Sequence, residues 1–241
     1  MKKIVMSSAL MLAFGSSLYA GGDLGTVEPA IETPTVEVES EPRTYNVGLK
    51  FGTLGLGLDL STPLTEKTSV RFNINGFTYS DTQEIDDVSY DGDLDLLTVG
   101  ALLDYYPTST NFRLSGGVYY NDNKFSGTAV PTATTVVELN GVDYGVNDIG
   151  RVDSEVTFDK FAPYLGLGWG NQATESGWGF SLDVGAMYHG EPESEIDVVI
   201  NNATIEQQIR DDVEAEKKSA QDDISSYKFY PVVMVGVNYS F

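Results

Sequence analysis

The chain has 241 residues, with 36 Asp and Glu against 14 Lys and Arg, a formal charge of −22, one His and no Cys. That length sets the scale at one domain, or one domain with an appendage. The charge argues against a nucleic-acid partner, because phosphates would be repelled, and the missing Cys excludes disulfides, thiolate catalysis and Cys-ligated zinc.

Charged residues make up only 21% of the chain, and 25 Gly accompany 14 Tyr and 11 Phe. This is the composition of a folded, β-leaning protein and not of a disordered acidic one.

Residues 1–20 have the anatomy of a secretory signal: Lys2 and Lys3, an apolar centre over 4–14, and small residues over 16–20, with cleavage expected after Ala20. An uncleaved anchor is the alternative, but the apolar centre falls short of the ~20 residues a spanning helix needs. No later run of 18 apolar residues exists. An integral membrane protein without such a run must cross as a closed barrel of strands. Residues 21–43 carry six acids (Asp23, Glu28, Glu32, Glu37, Glu39, Glu41) against one base, Arg43, among repeated Gly and Pro. They read as a flexible periplasmic leader.

From residue 44 to 241 a period of two dominates. Leu54, Leu56, Leu58 and Leu60 alternate with Gly55, Gly57, Asp59 and Ser61. Leu97, Val99, Ala101, Leu103 and Tyr105 alternate with a second set that includes Gly100 and Asp104. Trp178, Phe180, Leu182 and Val184 alternate with Gly179, Ser181, Asp183 and Gly185. A soluble sandwich alternates too. Two features favour a membrane barrel. Aromatic residues (Tyr105, Phe112, Tyr120, Trp169, Trp178, Tyr188) end the apolar faces as interfacial girdles do, and short connectors (63–68, 107–111, 171–176) alternate with long ones (80–92, 122–154, 191–226). The expected fold is all-β: an eight-stranded antiparallel transmembrane up-and-down barrel with short periplasmic turns and long acidic external loops. The strands are expected near 43–51, 53–62, 69–79, 93–106, 111–122, 155–170, 177–190 and 227–241.

The last strand carries the sharpest motif. Val233, Val235, Val237, Tyr239 and Phe241 form one apolar face that closes on a terminal aromatic, as in the insertion signal read by the bacterial barrel-assembly machinery. The inward set is expected to include Asp59, Arg71, Asp104, Arg113, Lys160 and Asp183. Acid and base alternate at similar depth on neighbouring strands, which predicts a salt-bridged plug in a lumen only wide enough for side chains. Such a network is either structural or a cation-selective gate.

Loop 191–226 holds eleven acids and three bases. Within it Ile205, Ile209, Val213 and Ile224 form one stripe of a helix over 204–224, which either folds over the barrel mouth or hangs as a solvated loop held by one apolar edge. Asp86, Asp87, Asp91, Asp93 and Asp95 form a second acidic group whose spacing does not match a calcium loop. His189 has no Ser placed to pair with it, so no catalytic residue, metal site or cofactor is expected.

The segments 52–57 (GTLGLG), 90–96 (YDGDLDL), 162–168 (APYLGLG) and 230–233 (YPVV), with Gly236 and Val237, resemble the CarO-type outer-membrane barrels, the ornithine-uptake porin family. The resemblance runs from about residue 45 to 241. It implies an eight-stranded barrel without a wide pore, associated with uptake of small or basic amino acids. Together these readings point to a monomeric bacterial outer-membrane barrel, in contact with lipid, that passively admits small, in particular cationic, solutes. A barrel with a structural or surface-interaction role and no transport is the alternative.

Overall fold

The computed structural model describes residues 2–5, 45–85, 88–108, 111–133, 135–170 and 176–241. The expected leader 21–43 lies outside these residues, as does the expected signal segment apart from Lys2–Val5, which runs parallel to Thr135–Glu138.

Eight strands close on themselves: β1 (Asn46–Gly52), β2 (Gly55–Thr65), β3 (Thr68–Ile85), β4 (Val88–Tyr105) and β5 (Phe112–Asn121). After an excursion of about forty residues come β10 (Phe161–Trp169) and β11 (Gly177–Tyr188), and then β13 (Phe229–Ser240). Each pairs antiparallel with its neighbour, β13 returns to β1, and β5 bridges β4 and β10. Closure matters because an open strand edge cannot sit in hydrocarbon.

The alternation decides which face goes where. On β10, Ala162 and Tyr164 are buried while Leu165 and Trp169 are 74% and 54% exposed. On β11, Trp178 and Phe180 are 77% and 83% exposed while Ser181 and Asp183 are buried. The outward face of the strands is thus apolar, while the charged and amide side chains of the barrel face inward, the reverse of a water-soluble barrel. Such a belt is stable only against lipid. At the short-turn end it is edged by Tyr45, Phe241, Tyr239 and Trp178, whose rings lie 4.7–5.2 Å apart in sequence, and by Phe112 against Trp169 at 4.8 Å. Tyr188 and Phe229, 5.3 Å apart, edge the loop end.

The long connectors are not loops. β3 and β4 run 18 residues each, beyond the apolar belt, and the upper part of β4 leaves β5 and takes β6 (Lys124–Val130) as partner. The sheet continues through β9 (Ile149–Thr157) to β12 (Glu193–Ile200). A hairpin of β7 (Thr135–Leu139) and β8 (Val142–Gly145) turns at Asn140 and Gly141, with φ of 50° and 79°. These are the left-handed angles of a two-residue turn that Asn-Gly adopts.

Helix α1 (Glu206–Ile224) lies on β12 and β7. Ile209 is fully buried with Val137, Leu139, Tyr144, Ile149, Val152 and Ile196, and Ile205 and Val213 pack beside it. The helix is therefore docked by its expected Ile205, Ile209 and Val213 stripe on a core shared with the cap strands, and is not a solvated loop. The expected strand at 155–170 is likewise two strands. The chain breaks at 158–160 because β9 pairs in the upper sheet and β10 in the barrel.

The barrel lumen as candidate functional site

Five of the six residues expected in the lumen meet there. Asp59 (β2), Arg71 (β3), Asp104 (β4), Arg113 (β5) and Asp183 (β11) are all at most 6% exposed. Arg71 is the hub. Its Nε and Nη2 donate to the two oxygens of Asp104 at 2.8 and 2.9 Å, and its Nη1 donates to Asp183 at 3.1 Å and Asp59 at 3.3 Å. Arg113 donates to Asp183 at 2.5 Å. Ser115 adds a hydroxyl donated to Asp104 at 2.5 Å.

A sixth charge completes the layer. Lys50 on β1 is 4% exposed, donates to Asp183 at 2.5 Å and pairs with Asp59. Three cations thus face three carboxylates, and the layer is neutral, which is what a site shielded from water requires. The signal for Lys50 was in the sequence: Val47, Leu49 and Phe51 point outward, so Asn46, Gly48 and Lys50 point inward.

Lys160 does not belong to this layer. It stands at the β9–β10 break, above the belt, with its side chain 54% exposed and paired with Asp122, whose hydrogen bond raises the lysine's pKa. Its inward parity holds only within a strand, and β10 begins one residue later. Together with Asp95, Lys124 and Glu155 it borders a cleft of about 770 Å³ where the sheet splits between β5 and β6. Lys124 and Glu155, on the paired strands β6 and β9, form a second ion pair beside that cleft at 3.4 Å.

Above the ionic layer the lumen turns apolar. Leu54, Leu102, Tyr119, Ala162, Tyr164, Met187, Val232 and Met234 form one buried cluster, with Tyr230 packed against it. Tyr119 and Tyr164 meet edge-to-face at 5.5 Å, and Asn73 donates to the Tyr119 hydroxyl at 3.2 Å. Inward glycines make the room. A Cβ at Gly185 would lie 2.7 Å from the Tyr164 ring, and one at Gly168 would lie 2.8 Å from Arg113 Nε. Tyr230 donates to the Thr53 carbonyl at 2.5 Å, tying the top of β13 to the β1–β2 turn. Below the ionic layer the lumen is polar and narrow. Asn46 donates to Ser240 at 2.8 Å, and the space beneath Lys50 and Arg71 is about 20 Å³, roughly one water's worth.

β3 and β11 lie four strands apart in either direction around the ring of eight. The Arg71–Asp183 bond therefore spans the full width of the barrel.

The terminal motif lies as its alternation requires. Val233, Val235, Val237 and Phe241 are exposed on the apolar belt, Tyr239 is half-buried against Trp178 and Phe241, and Val232, Met234, Asn238 and Ser240 are buried inside. Of the second acidic group, Asp91 and Asp93 are exposed on the upper part of β4, Asp95 borders the cleft, and Asp86 and Asp87 lie outside the described residues.

No protein-family model and no curated protein matches the chain. Solved structures do. Acinetobacter baumannii CarO2 aligns with a TM-score of 0.55 at 20% identity, covering 84% of this chain and 100% of that one. Acinetobacter baumannii CarO aligns with a TM-score of 0.55 at 24% identity, covering 83% of this chain and 98% of that one. In fold, the chain is an eight-stranded barrel of the CarO type.

Proposed function

We propose that this is a monomeric bacterial outer-membrane barrel that is closed at rest and presents its sheet-and-helix cap outward. One observation carries the reading: Arg71 and Asp183, on opposite walls, are hydrogen-bonded at 3.1 Å, so side chains cross the lumen where a solute would have to pass. The apolar layer above it is a second barrier, because a dry constriction of Leu, Met and Tyr repels ions and water alike. This supports a structural or surface-interaction role over passive uptake. Uptake of a small or basic amino acid would require the two layers to part together. The acidic cap concentrates cations at the outer face without admitting them. During biogenesis the Val233–Phe241 face is the segment the assembly machinery would pair with.

Liposome swelling with ornithine, glycine and a small anion tests this. The reading predicts no swelling with any of them at neutral pH. Swelling with ornithine alone would show that the ionic layer yields to cationic solutes and would restore the uptake reading.

A further inference from the structure

His189, the chain's one histidine, sits just past the end of β11, above the apolar layer, and is 4% exposed. It lies where three chain segments pass between the barrel and the cap. Its amide donates to the Lys228 carbonyl at 3.1 Å, and its carbonyl accepts the Asp159 amide at 3.0 Å. The three chain segments leaving the barrel at this point are therefore bound through one residue. The imidazole packs edge-on against Phe158 at 4.4 Å and Tyr230 at 6.2 Å between ring centroids, and the ring donates a hydrogen bond to the Phe229 carbonyl. Nδ1 is buried and has no hydrogen-bond partner among the described residues.

From this geometry we infer that His189 is an acid-sensitive latch: protonation releases the cap junction from the top of the barrel. A neutral ring tolerates a bare Nδ1 lone pair among aromatic neighbours. Protonation puts a donor on that atom and a charge in the pocket, and a buried donor without an acceptor is unfavourable.

The charged groups around the latch come from each segment packed against it. Asp159 lies beside the ring and favours the charged form, and its carboxylate packs over Gly190. Lys228 and Glu191 neutralise each other at 3.1 Å, and Lys160 and Asp122 form a pair of their own. Burial outweighs the Phe229 backbone, Asp159 and the residue's own backbone, all of which favour the charged form, and holds the imidazole pKa below its ordinary 6.5. The sign follows. A histidine whose folded pKa is depressed begins to destabilise its surroundings as pH falls through the unfolded value, and the penalty grows until the folded value is passed. Release loosens Tyr230, whose hydroxyl holds Thr53, and so opens the upper layer from above while the ionic layer below stays in place.

The single histidine makes the test clean. Imidazole NMR of the mature barrel in micelles should show one titration below the ordinary histidine range. Amide-exchange protection at Asp159 and His189, corrected for intrinsic rates, should fall at least tenfold with the same midpoint. His189→Phe should keep that protection across the same pH span, and His189→Gln serves if the phenylalanine variant does not insert. A midpoint at the ordinary value, or protection that survives the titration in the wild type, overturns the latch. So does an equal loss of protection in the variants. The readout is local to the junction, so it stands apart from whether the barrel conducts at neutral pH.

Discussion

Replacing Arg71 with Met tests the ionic layer. The guanidinium bonds three carboxylates and Ser115, on four strands besides its own. Without it Asp104 keeps only the Ser115 hydroxyl and Arg113 at 3.8 Å, and three carboxylates face two cations. Removing one member of a buried ion pair costs about 3–5 kcal/mol, because the partner charge stays buried. Arg71→Met should therefore lower barrel stability by that amount. Adding Asp104→Asn rebalances the layer, and the double variant should be more stable than the sum of the single costs predicts by about 1–3 kcal/mol. Arg71→Lys keeps the charge and loses the two-pronged bond to Asp104, so it should fall between. The assay is urea unfolding in micelles, read as the fraction migrating in the folded position on an unboiled gel. If Arg71→Met costs under about 1 kcal/mol, or the two substitutions simply add, the layer is not the buried, coupled network described here.

Other predictions bear on the cap and the terminus. Ile209→Ala deletes a fully buried side chain and should cost the cap about 2–5 kcal/mol, exposing 191–226 to protease while the barrel keeps its heat-modifiable migration. The Tyr144 hydroxyl donates to Asp212 at 2.5 Å, and burial together with that carboxylate raises its pKa to about 12. The stabilisation is complete below the unfolded value near 10 and is lost as pH rises to about 12, so α1 should undock over that window, as seen by amide exchange, and Tyr144→Phe should abolish the transition. Deleting Phe241, which stacks on Tyr45 at 4.7 Å, should reduce the outer-membrane fraction several-fold without reducing export; normal accumulation would refute the terminal-signal reading.

The barrel was legible because a membrane strand writes its two faces into alternate residues, and that alternation recurs strand after strand between residues 44 and 241. The ionic layer was legible for the same reason: Asp59, Arg71, Asp104, Arg113 and Asp183 all lie at inward positions of well-patterned strands. Lys50 was missed because β1 is only seven residues long, and Lys160 was misplaced because it precedes its strand by one residue. The cap was hidden for a different reason. Its strands are four to nine residues long, and their burial comes from contacts between segments far apart in sequence, such as Val137 with Ile209. The local clue was the Asn140-Gly141 pair between two short β-branched runs. The helix showed its stripe but not its partner, since periodicity reports which face is buried and not what covers it.

The barrel is inverted, oily outside and sealed within. The natural chain has no cysteine, so single-cysteine spin labels can be placed at Leu58, Phe180 and Val235 on the belt and at Asn73 in the lumen without background. In lipid vesicles the belt sites should be relaxed by oxygen and shielded from a water-soluble nickel chelate, and the lumen site shielded from both. Nickel relaxation at Asn73 would mean an open pore, and nickel relaxation along the belt would mean a water-facing surface; either contradicts the account.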